Sequence, residues 1–198
     1  AISYGTMHGA SKGKDVKLRK EIAVAIRECL SHEGIFGALV SHGSSTVPKY
    51  IVDEINALGG ELSNTYGISI EELKAAIPCG INKINVDTDI RLAVTRNLKE
   101  LFAKYPELKN SPSIGGIYER LEAMKNQFDP RVFLPPIMDT VMKGVIPDED
   151  VAAAVDCVER GVKEVVGTLI VQFGSFGKAP LVEQATLEEM AERYRKNK

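Results

Sequence analysis

Apolar and polar positions along the chain change period several times, and the changes mark out elements. The opening "AISYGT" is short, apolar and cut by glycine, which predicts a buried strand or its tail. In "VKLRKEIAVAIRECLSHEG" apolar residues fall at Val16, Ile22, Ala23, Ile26 and Leu30, the spacing of a helix that stops at Gly34. "IFGALVS", Ile35 to Ser41, is uniformly apolar and predicts a covered parallel strand. Pro48 then opens a helix through Leu58, stopped by Gly59 and Gly60. "ISIEELKAAIPCG" predicts another, with Ser69 as cap and Glu72 three residues on, a capping-box spacing. "INKINVDTD", Ile81 to Asp89, alternates as a strand does, and the helix "IRLAVTRNLKELFAKY" follows at once.

The first hundred residues therefore read as β-α-β-α-α-β-α, which implies parallel pairing and right-handed crossovers. Beyond Tyr105 the pattern is helical, in four stretches separated by proline or glycine. "GTLIVQF" continues the period of the helix begun at Asp148 and belongs to it. Glu107 to Gly116 is the nearest thing to a linker. Three parallel strands make a poor closed core, so the sheet is either small and open or a fraction of a larger barrel.

Composition narrows the class. The chain has 198 residues, 44% hydrophobic and 26% charged, with a net charge of −2. That is ordinary for a globular protein and gives no basic excess to attract nucleic acid. No apolar run approaches the length of a membrane span, and the start does not read as a secretory signal. Cys29, Cys79 and Cys157 are odd in number and widely spaced, which points to reduced thiols in the cytoplasm.

The chemistry gathers where the strands end. The first gives His8, Gly9, Ser11 and Lys12; the second His42, Gly43, Ser44 and Ser45; the third Asn85, Asp87, Thr88 and Asp89. Ligands of parallel α/β sheets bind at these carboxyl ends. Two imidazoles on neighbouring strand ends suit a divalent metal, zinc above all, although hydrogen-bonded loop histidines are the plainer alternative. His32, beside Glu33 at a helix C-terminus, has a structural role there. The glycines admit close approach of a ligand, and the helix start at Pro48 with Lys12 nearby suits an anion such as a phosphate group. No P-loop or G-x-G-x-x-G is present, so a nucleotide does not follow.

Together, "GTMHGASKGK", "LVSHGSSTVP", "GINKINVDTDIRLA" and "FDPRVFL" resemble the class II, zinc-dependent fructose-bisphosphate aldolases, in the family's order and with similar spacings. The tail "FGSFGKAPLVEQATLEEMAERY" resembles that of the Calvin-cycle-type subgroup. The resemblance implies an α/β fold, the C-terminal portion of a (β/α)8 TIM barrel. Residues 1–105 would supply the last three βα units, with the metal and phosphate sites, and 106–198 a helical extension. It implies His8 and His42 as two of three zinc ligands. Gly9, Lys12, Gly43, Ser44 and Ser45 would bind the phosphate of the dihydroxyacetone phosphate moiety, completed by Asn85, Val86, Asp87 and Thr88. Asn85 would also lie near the reacting carbonyl as the catalytic residue. Arg131 would reach a neighbouring subunit's site to hold the distal phosphate, so a homodimer or homotetramer is expected. Gly9 and Gly43 carbonyls could help hold a monovalent cation, Na+ or K+.

The family's earlier half, with a third zinc histidine in a His-x-Asp-His stretch and the acid-base carboxylates, has no counterpart in this sequence. The expectation is thus a glycolytic and gluconeogenic lyase of the cytoplasm whose N-terminal half is supplied elsewhere. A tagatose-bisphosphate or other sugar-phosphate aldolase, and a non-catalytic phosphosugar-binding fragment, are the alternatives. Neither nucleic acid nor membrane is an expected partner.

Overall fold

The computed structural model describes residues 2, 4–7, 13–35, 37–182 and 184–196. It is an α/β arrangement, mostly helical, with a small parallel sheet. That sheet has two strands, β1 (Leu39–Ser41) and β2 (Ile81–Ile84), joined by a right-sized crossover of two helices. The helices before and between them are α1 (Lys20–His32), α2 (Lys49–Ala57) and α3 (Ile70–Ala76). After β2 come α4 (Thr88–Lys104), α5 (Gly115–Ala123), α6 (Pro130–Phe133), α7 (Pro135–Val141), α8 (Glu149–Gln172) and α9 (Leu187–Lys196).

Three expected strands become two among the described residues, and both are shorter than their apolar patterns. Of the first expected strand, Tyr4 to Met7 lie in bends and loop. The Tyr4 carbonyl accepts the N–H of Arg19 at 2.7 Å instead of a ladder bond. Its side chain is nonetheless buried, so the apolar pattern marked the core correctly, while Tyr4 to Met7 carry no ladder. The second strand begins at Leu39 rather than Ile35, which is more than half exposed. The third ends at Ile84, because Thr88 and Asp89 already belong to α4.

The β1–β2 ladder carries an irregularity between Leu39 and Val40, where Asn82 is the extra residue. Asn82 repairs the gap with its own side chain: its Oδ1 accepts the Leu39 N–H at 3.0 Å. The register then puts Ser41 opposite Ile84, so the two carboxyl ends emerge side by side.

The helices follow their sequence signals closely. Ser69 Oγ accepts the Glu72 N–H and caps α3. The other half of the capping box does not form. Glu72 turns away from Ser69, accepts the Leu18 N–H at 2.9 Å and pairs with Lys20 at 2.7 Å, fixing the chain before α1 to α3. Asp148 caps α8 by accepting the Val151 N–H at 2.9 Å, and α8 runs unbroken through "GTLIVQ".

α4 is the central post. Its Leu92 and Ala93 pack with Ile51 and Ile55 of α2 and Val165 of α8. Val94, Leu98, Leu101 and Phe102 pack with Ile114, Ile117, Phe133, Ile137, Val151 and Cys157. The segment expected as a linker is part of this second core: Ile114 is fully buried. Ser111 bonds Asp150 at 2.5 Å, and Ser113 bonds Asp148. α8 approaches α4 so closely that a Cβ on Gly161 would lie 2.8 Å from the Val94 nitrogen. A third cluster, with Tyr4, Leu18, Leu39, Ile68, Leu73 and Ile81, fills the space under the sheet.

Candidate functional site

The loops that leave β1 and β2 face one another on one rim. Because the strands are parallel neighbours, residues 42–48 and 85–88 leave the sheet together. They are tied at four places. Asn85 donates its backbone N–H to the Ser41 carbonyl at 2.9 Å. The Asn85 amide nitrogen lies 3.3 Å from His42 Nδ1. Ser45 Oγ accepts from Asp87 N at 3.2 Å and from Thr88 N at 3.1 Å. Asp89, almost fully buried, accepts from Thr46 N at 3.0 Å, Thr46 Oγ1 at 2.7 Å and Val47 N at 2.9 Å.

Those contacts explain the local backbone. Val47 sits at φ 52°, a left-handed conformation that costs a β-branched residue on the order of 1–2 kcal/mol. Asp89 holds it there, and the buried Val47 side chain packs in the α2–α4 core. Gly43, at φ 64°, lets the chain turn directly after His42. Gly67 passes so close beneath the loop that a Cβ would stand 2.0 Å from the Thr46 carbonyl oxygen.

Behind the rim lies a chain of hydroxyls. Tyr4 Oη is 2.5 Å from Ser41 Oγ, which is 2.5 Å from Ser44 Oγ. All three are buried, and burial pushes the Tyr4 phenol upward from its ordinary value. Each hydroxyl can donate to the next, so the row carries one consistent direction of hydrogen bonds.

The expected site residues thus divide. His42, Gly43, Ser44, Ser45, Asn85, Val86, Asp87 and Thr88 come together on the rim. Ser44, Ser45 and Thr88 are buried and form its wall, whereas His42, Gly43, Asn85 and Val86 are half-buried. The Asp87 carboxylate points outward and pairs with Arg91 at 2.6 Å. Arg131 is exposed and bonded to Asp129, whose carboxylate also takes Arg91. Arg131, the first cause, holds the Asp129 carboxyl below its ordinary range. His8, Gly9, Ser11 and Lys12 lie outside the described residues.

Sequence reasoning placed Asp89 among the strand-end residues without its role as a clasp, and missed Arg91 and Gly67. Asp89 carried a signal, since "DTD" opens a helix and an early acidic residue there is available to nearby N–H groups. Gly67 carried none beyond being a glycine between helices.

Among the described residues no group of three or more His, Cys, Asp and Glu side chains is placed to hold a metal. His42 offers one imidazole, and a catalytic zinc takes three protein ligands. The described donors alone do not make a zinc centre.

The model for fructose-bisphosphate aldolase class-II matches residues 1–178. The chain belongs to this family. It is 34% identical over 196 residues to a fructose-bisphosphate aldolase of Nostoc sp., which covers 99% of this chain and 44% of the relative. It is 32% identical over 194 residues to one from Xanthobacter flavus, covering 98% and 44% respectively. A fructose-bisphosphate aldolase of Giardia intestinalis is 36% identical over 148 residues, which is 74% of this chain and 39% of that protein. This aldolase-family chain therefore spans less than half the length of these curated relatives. The match also fits the small parallel sheet, which is compatible with part of a TIM barrel. Among the described residues no helix is long and apolar enough to cross a membrane.

Proposed function

We propose that this chain carries the metal- and phosphate-binding part of a class II aldolase site. The reaction is cleavage of fructose 1,6-bisphosphate to dihydroxyacetone phosphate and glyceraldehyde 3-phosphate, and its reverse. One observation supports the reading above others. His42 and Asn85 meet at 3.3 Å on adjacent parallel strand ends, in a chain that matches the family from end to end of the rim.

In this reading His8 and His42 are zinc ligands, and the third comes from the part of the relatives' length that this chain does not span. Gly9, Lys12, Gly43 and Val86 bring backbone and charge to one substrate phosphate, and Asn85 stands beside the reacting carbonyl. Ser44, Ser45, Asp87 and Thr88 shape that cradle. Ser45 and Asp89 lock the loops, so the phosphate meets a preformed surface, and remote binding energy orients the reacting carbon. A monovalent cation at the Gly9 and Gly43 carbonyls belongs to the same proposal. So do the cytoplasmic compartment and a homodimer or homotetramer in which Arg131 reaches the neighbour's distal phosphate. Residues 1–105 hold the site, and 106–198 buttress it through α4 and α8.

The test mixes the purified chain with an N-terminal half-barrel from a class II relative and measures fructose 1,6-bisphosphate cleavage with and without zinc. Cleavage in the zinc-loaded mixture, absent from either part alone and lost in His42→Ala, supports the proposal. A folded, zinc-loaded mixture without cleavage overturns the reading of this chain as a catalytic part. Preferential cleavage of tagatose 1,6-bisphosphate overturns the substrate assignment.

A further inference from the structure

The most unusual polar group lies far from the rim, on the inner face of α4. Lys99 is 5% exposed, and among the described residues its Nζ is the buried side-chain nitrogen or oxygen without a hydrogen-bond partner. An orphaned buried ammonium is costly and calls for an explanation. Lys99 lines a cavity of about 90 Å³ between the end of α2, α4 and α5. Its walls are mixed: Leu58, Phe102 and Leu121 supply apolar surface, and Lys109, Tyr118 and Glu122 supply polar surface. Lys109 Nζ lies 4.9 Å from the Tyr118 ring centroid, which holds this second cation at the cavity.

Burial and two charged groups bear on Lys99. Burial dominates and lowers its pKa, Lys125 acts in the same direction, and Glu122 opposes them. The amine is thereby drawn toward its neutral, nucleophilic form, the form that reacts with electrophiles. What the cavity can admit is limited by size and by desolvation. An anion would have to shed its water and lie against the Glu122 carboxylate in this small space, whereas a small neutral molecule would not. Carbon dioxide meets both limits and reacts with neutral amines.

We propose that Lys99 is a carbamylation site, at which Nζ adds carbon dioxide entering this cavity and Lys109 pairs with the carbamate formed. The Nζ lone pair makes the new N–C bond, and one C=O π pair moves onto oxygen. One proton leaves Nζ for solvent. Amine and carbon dioxide give carbamate and a proton, with no change of oxidation state. From the resting ammonium a first proton must leave to free the lone pair, so two protons are released in all. The unpaired buried cation becomes an anion beside Lys109, which satisfies the group that the unmodified fold leaves orphaned. It is independent of the proposed lyase activity.

The test equilibrates the full chain with 13C-bicarbonate at fixed carbon dioxide pressure near neutral pH. The carbamate is trapped as its ester with a trialkyloxonium reagent and located by peptide mapping. We expect several-fold more label on Lys99 than on exposed Lys83, rising with pH as more amine is neutral. Lys109→Gln should lower the Lys99 label several-fold, and Lys99→Met should remove the corresponding 13C resonance. Label on Lys99 no greater than on Lys83 overturns the proposal. That comparison is made within the unmodified sequence, so it stands even if a variant fails to fold.

Discussion

Arg91 and Arg131 are fastened to one another through a shared carboxylate, that of Asp129. Arg91 reaches it from α4 and Arg131 from the first turn of α6, while Arg91 also holds Asp87 on the rim. The arginine proposed to serve a neighbouring subunit is thus linked, by three ion pairs in series, to the loop proposed to bind phosphate. In the assembled enzyme, Arg131→Ala should raise KM for the bisphosphate about tenfold or more, the size of a lost charge-assisted contact. Zinc content, measured by metal analysis, should change little. A loss of zinc equal to the loss of affinity would show that Arg131 acts on the fold instead.

Asp89 is expected to be the most sensitive carboxylate of the chain. Asp89→Ala removes three acceptor contacts and releases Val47 from its left-handed backbone. Urea unfolding should show a loss of about 3 kcal/mol, given about 1–3 kcal/mol for each buried donor left without an acceptor and some return of backbone strain. Asp89→Asn keeps one acceptor oxygen and should cost less.

Two glycine substitutions separate crowding from backbone conformation. Gly67→Ala drives a Cβ into the Thr46 carbonyl and the Ser45 oxygen, both backbone atoms that cannot swing aside. Its cost should reach about 3 kcal/mol or more. Gly34→Ala meets nothing within 4 Å and is opposed only by φ 68°, so about 1 kcal/mol is expected. Thermal or urea denaturation of the pair checks the order.

Glu72 gives the stability curve an acid limb. The Lys20 pair, first, and then the Leu18 N–H lower its pKa from the usual value of 4.5 to about 2. A carboxyl depressed in the folded state contributes stability above its unfolded pKa, and loses it as pH falls through the folded value. The stability difference between the wild type and Glu72→Gln should be full above pH 4.5 and shrink steadily toward pH 2. A difference that stays constant across this window would refute the pairing.

Where the sequence could be read, the signals were local ones. Ser69 and Asp148 cap the helices they precede, and the period through "GTLIVQ" keeps α8 whole, because each depends on residues a turn or two away. The strand ends could not be read the same way. Thr88 already opens α4, and its N–H is taken by Ser45 in another loop. A strand pattern at Tyr4 gave a buried tyrosine without a ladder, since pairing depends on a neighbour and burial does not. The meeting of His42 with Asn85 followed from parallel strands, but the Asp89 clasp on Val47 required knowing how tightly the loops are wound.

That clasp also sets an order of events. Val47 lies 42 positions before the carboxylate that holds it, and α2, α3 and β2 intervene. During synthesis the loop after β1 emerges well before Asp89, so it has no means of keeping a left-handed valine. Its final shape must wait until β2 has docked and the first turn of α4 has closed behind it. A chain that stalls before residue 89 therefore lacks the acceptor that fixes Val47 and does not hold this part of the rim in its final shape.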